Sequence, residues 1–317
     1  MTRIVLRRLL LSVFTLWMII TIVFVVVNVL PDDIGRRLSG PFAPQEQVDA
    51  INERLGTNDP VRTQYRRFIG QVLTLDFGTS FARNRPVTEI IGEAFLRSLR
   101  LAAYALALTL PLSIYCGILA ARRKDTAIDR GIVTLGLASS SIPEFVSGVL
   151  LQSLVALGLG WFKVLGNPPK GAGILEQLEY MTLPALALVI VYFGYIARMT
   201  RAGVAAALQA DFTRTATLKG LTRGRVMRRH VLRNGLQPTV SLIGVQVGYL
   251  LGSLVAVERV FNYPGLGLTI VNAATKKDLP VLRGGVLLVG VVYMLSTLIA
   301  DLVLAWMNPR ARATVMQ

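Results

Sequence analysis

The side chains that most often carry acid–base, metal or redox chemistry are scarce in this chain. His230 is the single histidine and Cys116 the single cysteine of 317 residues. A histidine-based catalytic triad, a zinc site of Cys and His, and an intrachain disulfide therefore all lack residues. No Gly-Lys dipeptide occurs, so a phosphate-binding loop of the Walker A type is missing as well. We find no catalytic constellation and expect no metal or cofactor bound by this chain.

One acidic residue stands in an unusual place. Glu144 follows Pro143 within an otherwise apolar run. An ionisable group at membrane depth is costly and marks a candidate functional site. The alternative is a carboxylate that is satisfied by the hydroxyls of Ser139, Ser140 and Ser141, or by a water molecule in a cavity. Both interpretations require a membrane around this run, which the hydropathy of the chain tests.

Six apolar runs predict an integral membrane protein. Hydrophobic residues make up 53% of the chain, and the mean hydropathy is +0.56, values that do not suit an ordinary soluble domain. A membrane-spanning helix needs about 20 apolar residues. Runs of about that length occupy residues 9–30, 101–121, 132–160, 183–197, 239–257 and 284–307. We predict an all-α integral membrane protein with six transmembrane helices, of which Pro111 and Pro143 kink the second and third.

The net charge of +16 raises the question of nucleic-acid binding, but its distribution follows the membrane instead. With the N-terminus inside, the inner segments hold 18 Lys and Arg against three acids, whereas the outer segments hold 15 against 13. This asymmetry is the one described by the positive-inside rule. We therefore predict that both termini are cytoplasmic and that nucleic acid is not a partner.

A larger outer region is predicted between spans one and two. Its nine basic and nine acidic residues are interspersed with apolar ones, which favours a folded region over a disordered one. Helices are expected from about Pro44 to Leu55 and from about Pro60 to Leu75, followed by a turn with Gly78 at a special backbone angle. The predicted domains are residues 1–30 with the first span, 31–97 as the outer region, and 98–317 as a five-span core.

Residues 211–238, between spans four and five, are strongly basic yet lie between apolar runs. Asp211 is placed to cap a first short helix, and Gly220 to end it in a left-handed conformation. Thr222 is placed to cap a second helix, and Pro238 marks the start of the next span. Four apolar residues form a thin stripe on the second helix: Val226, Met227, Val231 and Leu232. Such a charged helix-turn-helix suits docking against a cytoplasmic partner.

This stretch resembles the EAA loop of ABC-transporter membrane subunits, which that family inserts into a groove of its ATPase. The general pattern, Glu-Ala-Ala with a glycine after three further residues, matches only at Ala216, Gly220 and Leu232. The form typical of oligopeptide, dipeptide and nickel permeases, D-[YF]-x-R-T-A-x-x-K-G-L and then R-H-x-L-R-N-x-L-x-P, matches throughout. The resemblance implies ATPase coupling through Asp211, Phe212, Arg214, Thr215, Ala216, Lys219, Gly220 and Leu221, with Arg229, His230, Arg233 and Asn234 on the second helix.

Two further segments are similar to the same family. Residues 141–145 match its S-I-P-x-F, and residues 257–267 match its V-E-x-V-F-x-x-P-G-L-G. The second segment combines a Pro-Gly turn with apolar residues that are able to re-enter the membrane as a plug or gate. The candidates for the transport pathway or its gate are Pro143, Glu144, Glu258, Phe261, Pro264 and Gly265.

The resemblance implies a pore subunit of a binding-protein-dependent importer in the cytoplasmic membrane of a bacterium or archaeon. Its implied partners are a second homologous permease subunit, two ATPase subunits that use ATP and Mg, an external solute-binding protein and the lipid bilayer. A peptide is the first expected substrate; relatives also carry nickel complexes, opines, glutathione or oligosaccharides.

Two other classes of protein fit the sequence less well. A proton-coupled secondary transporter needs ionisable residues deep in the membrane, and at most Glu144 and Asp301 qualify. A membrane-embedded enzyme is disfavoured by the missing catalytic residues. An ATPase that copurifies with the chain would separate the importer from both.

Overall fold

A computed structural model describes residues 2–29, 34–40, 42–169 and 171–307. These residues form fourteen α-helices and no strand, which confirms the all-α prediction. Three π-helical turns, Val25–Val29, Gln152–Gly158 and Met227–Val231, extend α1, α7 and α10. The helices are α1 Thr2–Phe24, α2 Ile34–Ser39, α3 Gln45–Leu55, α4 Val61–Thr74, α5 Val87–Arg122, α6 Ala127–Ser141, α7 Glu144–Leu151, α8 Ile174–Gln209, α9 Asp211–Leu218, α10 Arg223–Val226, α11 Leu232–Gly235, α12 Gln237–Val260, α13 Leu266–Thr275 and α14 Leu279–Met307.

Within the described ranges, four helices are long and apolar enough to cross a membrane. They are Leu10–Val29, Val87–Arg122, Ile174–Gln209 and Leu279–Ile299. Two bent pairs add further candidates: Ala127–Ser141 with Glu144–Gly158, and Gln237–Leu250 with Gly252–Val260. Six spans, the predicted number, result if each bent pair crosses once. Leu30, the predicted end of the first span, lies outside the described residues.

The two prolines predicted to kink spans behave differently. α5 continues as one helix through Pro111. The third run is broken, and its two halves meet at 101°. The cause is local, because a residue before proline avoids the helical region, and Ile142 is extended with φ −91° and ψ 124°. The predicted kink at Pro143 is therefore a break between two helices, and Pro143 is the N-cap residue of the second one.

The chain divides into two compact units, of which the first comprises residues 1–98 and 264–295. In this unit α1 packs against the apolar face of α4, where aromatic residues recur at helical spacing. The ring centroid of Phe24 lies 5.1 Å from that of Tyr65 and 5.6 Å from that of Phe68. The hydroxyls of Thr21 and Tyr65 are 2.7 Å apart. These contacts fix the outer region to the end of the first span.

Both helices predicted in the outer region are confirmed. α3 and α4 begin directly after Pro44 and Pro60. Proline suits the start of a helix, because the N–H group that it lacks would have no partner within the helix there. α3 ends at Leu55 and α4 at Thr74, and the cap residues that follow, Gly56 and Leu75, are both left-handed. Three of the four helix boundaries in this part therefore coincide with a proline or a glycine, and the fourth is at Leu75.

The turn after α4 also has the predicted backbone, with φ 76° at Gly78. The structure adds a partner that the sequence did not suggest, Asp278 in the segment between α13 and α14. The Asp278 carboxylate accepts hydrogen bonds from the Ser80 hydroxyl and from the backbone N–H groups of Phe81 (3.1 Å) and Ala82 (3.3 Å). Ser80 and Asp278 are both buried. A buried carboxylate with several donors holds this turn in place.

The second unit comprises residues 99–263 and 296–317 and is built around α8. The 183–197 run, which is the shortest of the six, is only part of this helix. α8 begins at Ile174 and passes through Pro184 without ending. Of its most apolar window, 67% is buried inside the protein. A helix that is apolar on all sides is a core helix, and Leu188 and Ile196 are accordingly almost fully buried.

Candidate coupling site

The first short helix of segment 211–238, α9, is tied to the end of α8. The hydroxyl of Thr213 donates a hydrogen bond to the carbonyl oxygen of Ala207 at 2.6 Å. Among the described residues, Asp211 makes no capping hydrogen bond; Ala210 holds the cap position and Asp211 is the first helical residue. The predicted cap is therefore wrong. A carboxylate in the first turn still interacts favourably with the helix dipole.

The turn between the two short helices has the predicted conformation. Gly220 has φ 78°, and its N–H donates to the carbonyl of Thr217 at 3.0 Å. Thr222 occupies the predicted cap position of α10, although within the described chain its side chain makes no capping hydrogen bond. No described atom lies within 4 Å of the position of an added Cβ on Gly220. The tip of the turn therefore points into open space.

The second arm runs from α10 through the π-helical turn to α11. Its predicted apolar stripe is confirmed, because Val226 and Val231 are buried and Met227 and Leu232 pack beside them. The cluster also contains residues of α5, α8 and α9: Ala121, Val204, Ala207 and Ala216. Ala216 therefore faces this core, and Leu221 packs at its edge.

Close backbone contact joins the second arm to α8. A Cβ on Gly203 would lie 2.1 Å from the carbonyl oxygen of Gly235. Only glycine allows such an approach. The buried hydroxyls of Thr200 and Thr239 form a hydrogen bond of 3.2 Å one helical turn away. Segment 211–238 is thus fixed to the central helix of the second unit at both of its ends.

The outward face of segment 211–238, which we call the coupling surface, carries most of the predicted coupling residues. Phe212 is 41% and Leu218 80% exposed, so two large apolar side chains are available here for a partner to cover. The charged and polar members of the coupling surface are all exposed apart from half-buried His230: Asp211, Arg214, Thr215, Lys219, Arg229, Arg233 and Asn234. This surface is positively charged, with apolar contacts available between the charges.

An ion pair beside this site was not predicted. Asp129 on α6 is 2% exposed. Its carboxylate accepts hydrogen bonds from both Nε and Nη2 of Arg201 on α8, the latter at 2.6 Å. Asp129 also accepts from the N–H of Asp125 at 2.9 Å. The paired residues are 72 positions apart, and the sequence showed them only as two charges on the inner side. The pair locks α6 to α8.

Pro143 and Glu144 lie at the bend in the third run. Glu144 is the first residue of α7 and is half-buried. The three serine hydroxyls do not satisfy its carboxylate, because they donate to the helix carbonyls of Gly136 and Leu137. Ser140 also accepts from Arg198 at 3.1 Å. The serine alternative is therefore wrong, and Glu144 stays a candidate for the pathway.

The four remaining pathway candidates fall into different units. Glu258 and Phe261 belong to the second unit, where each is 0% exposed. The carbonyl of Phe261 accepts from the N–H of Gly166 at 2.7 Å. Pro264 and Gly265 belong to the first unit, where Gly265 is the N-cap residue that precedes α13. Glu258 and Phe261 are thus packed inside the second unit, whereas in the first unit Gly265 is buried and Pro264 half-buried.

The comparisons with known proteins agree with this architecture. Residues 113–313 match the family described as "Binding-protein-dependent transport system inner membrane component". Residues 1–102 match the family described as "Binding-prot-dependent transport system membrane comp, N-term". Together these two matches cover nearly the whole chain.

Individual relatives extend over the same length. The chain is 35% identical to the "Glutathione transport system permease protein GsiC" of Salmonella paratyphi A, over 97% of this chain and 98% of that protein. It is 32% identical to the protein of that name from Escherichia coli K12, with the same coverage.

A solved structure, described as a "crystal structure of an amino acid ABC transporter with histidines", shares the fold. The TM-score is 0.50 at 17% identity, covering 70% of this chain and 94% of that one. These matches and the apolar helices identify a multi-pass protein of the cytoplasmic membrane. The chain belongs to the inner-membrane components of binding-protein-dependent transport systems and is the permease subunit of an ABC importer, a transport component that works with an ATPase and a solute-binding protein.

Proposed function

We propose that this permease imports short peptides or peptide-like solutes, with glutathione as the first candidate. Glutathione is itself a tripeptide, so the expected peptide and the substrate named for the relatives belong to one chemical class. The observation that carries the proposal is the match over 97% of the chain to permeases named for glutathione transport. Nickel complexes, opines and oligosaccharides become the competing solutes of the test.

The test is ATP-dependent uptake by proteoliposomes that contain the complete transporter. Labelled glutathione, a dipeptide, a nickel complex, an opine and an oligosaccharide are compared, each with its solute-binding protein supplied in excess. Saturable uptake of glutathione or the dipeptide supports the proposal. Uptake of only a nickel complex, opine or oligosaccharide would replace it.

We further propose that the coupling surface binds the ATPase. The supporting observation is mechanical: α9 and α11 are fixed to α8 through Thr213 and through the contact of Gly203 with Gly235. A force on the coupling surface then moves α8 with it. Closure of the ATPase dimer on ATP and Mg biases the spans between outward-open and inward-open states, because the two states bind the closed ATPase differently.

The complete assembly, in this proposal, contains a second homologous permease subunit and two ATPase subunits, with both termini of this chain in the cytoplasm. The chain contributes no nucleotide site of its own, since its sequence has no Gly-Lys phosphate loop. Purified chain should therefore neither bind nor hydrolyse ATP until ATPase subunits are added. Saturable ATP binding by the chain alone would contradict this part.

A further inference from the structure

The outer part of the first unit contains a cavity of about 600 Å³. Its wall comes from three separate pieces of chain: the end of the first span, residues 53–81, and the first turn of α14. The volume lies in the range of roughly 300–1,000 Å³ that small-molecule sites occupy. Neither the coupling surface nor any pathway candidate contributes to the wall, so this is a separate candidate site.

Arg283 brings a positive charge to the wall from the first turn of α14. Its guanidinium carbon lies 5.9 Å from the ring centroid of Phe68, a contact that holds the side chain over an aromatic face. The Nε of Arg283 is buried and has no hydrogen-bond partner among the described residues. A buried donor without an acceptor is destabilising. The wall therefore offers a cationic donor for which no described residue supplies an acceptor.

Besides Arg283, the wall contains three charged residues: Glu53, Asp59 and Arg67. Arg67 and Asp59 form an ion pair of 2.7 Å and so neutralise one another. Glu53 is exposed and forms no ion pair with the described residues. Arg283 and Glu53 thus share one cavity as groups of opposite charge that form no ion pair with any described residue.

A third group in the wall is an orphan acceptor. The Oδ1 atom of Asn28 is buried and has no hydrogen-bond partner in the described part of the chain. An occupant must therefore bring an N–H or O–H donor as well as an acceptor. Three aromatic rings, those of Phe68, Phe77 and Phe81, supply apolar wall between the polar groups.

We propose that this cavity binds a small zwitterionic solute, an amino acid or short peptide, whose carboxylate pairs with Arg283 and whose ammonium group faces Glu53. A carboxylate matches the planar guanidinium fork. The amide or ammonium N–H of the same solute satisfies Asn28. The inference goes beyond the transport reaction and does not depend on which solute crosses the membrane.

The test is calorimetric titration of the full-length chain, reconstituted in nanodiscs, with alanyl-alanine and with its methyl ester. The dipeptide should bind saturably. The ester lacks the carboxylate and should bind at least about tenfold more weakly, the loss expected for a hydrogen bond between charged groups. If ordered water fills the cavity and no dipeptide binds, the titration will show no saturable heat. That result would overturn the proposal.

Matched variants identify the residues responsible. Arg283→Gln and Glu53→Gln should each weaken dipeptide binding at least about tenfold, and Gln71→Trp, which fills the cavity from its wall, should abolish it. Arg66→Gln changes an exposed arginine of the same outer region that does not line the cavity, and it should bind like the unmodified chain. An unchanged melting temperature shows that each variant is folded.

Two results would count against the site. Equal dipeptide affinity of Arg283→Gln and Arg66→Gln would refute the role of the guanidinium. Binding of a solute-binding protein that depends on Arg283, with no binding of the dipeptide, would make the cavity a protein-docking site instead. The titration needs neither ATPase nor transport, so a negative result here is distinct from a failure of glutathione uptake.

Discussion

Gly203 of α8 and Gly235 of α11 touch backbone to backbone. A Cβ added to Gly203 would lie 2.1 Å from the carbonyl oxygen of Gly235, and one added to Gly235 would lie 2.9 Å from the Cα atom of Val204. Neither obstacle is a flexible side chain, so neither can move aside without a shift of a helix. This contact makes the coupling segment and the central helix one mechanical piece.

The first prediction follows from this contact. Gly203→Ala should lower the melting temperature of the chain and reduce its ATP-driven uptake in the complete transporter, because α11 must move away from α8. Gly70→Ala is the matched control, since Gly70 lies inside α4, outside the coupling segment, and no described atom lies within 4 Å of the added Cβ. In a helix, alanine is favoured over glycine by about 1 kcal/mol, so the control should be neutral or slightly stabilised. Similar behaviour of the two variants would show that the contact is unimportant.

A second prediction concerns the buried ion pair between Asp129 and Arg201. Asp129→Asn leaves the guanidinium without its counter-ion. Breaking a buried pair costs roughly 3–5 kcal/mol, and we expect the low end because Arg201 is 27% exposed. Thermal unfolding of the purified chain measures the loss. Asp125→Asn, an exposed position with φ 66° that asparagine tolerates, should change little, and a comparable loss there would remove the special role of the pair.

The proposed orientation in the membrane gives a third prediction. Cysteines introduced at Asn58 and Ala274 should react with a membrane-impermeant thiol reagent in intact cells, with any outer membrane permeabilised. One at Thr222 should react only after the cells are opened. All three positions are exposed in the structure, so burial does not explain a difference, and Cys116→Ser removes the background. Labelling of Thr222 from outside would reverse the topology.

Local signals in the sequence predicted much of the fold and part of the site. Pro44 and Pro60 located the helices of the outer region, and Gly220 located the turn of the coupling segment. Each of these residues restricts or permits backbone angles by its own chemistry. Such constraints act within a few residues and can therefore be read from the sequence directly.

Other features depend on contacts between distant parts of the chain. The pairing of Asp129 with Arg201, and of Ser80 with Asp278, joins residues whose proximity only the packed helices create. The cap at Asp211 failed because Ala210 took that position, with Thr213 bonded back to α8. The bend at Pro143 was expected, but its size depends on how α6 and α7 pack on α8, which hydropathy does not encode.

The most direct test of ATPase coupling uses Gly220. Gly220→Asp puts a residue with a Cβ into the left-handed region, at the low end of a cost of roughly 1–2 kcal/mol because aspartate tolerates this region better than most residues. It also puts a negative charge near the C-terminal end of α9. Gly171→Asp is the control, because Gly171 also has a positive φ (85°) and open space around it but lies in the loop before α8, which the proposed topology puts on the outer side. Membrane insertion of both variants should be normal.

The deciding measurement is ATPase pull-down together with ATP-driven uptake for the two variants side by side. We predict that Gly220→Asp loses ATPase binding and uptake while its solute-binding protein still binds substrate, and that Gly171→Asp retains both activities. Near-native pull-down and uptake by Gly220→Asp, equal to those of Gly171→Asp, would contradict the assignment of residues 211–238 as the coupling segment.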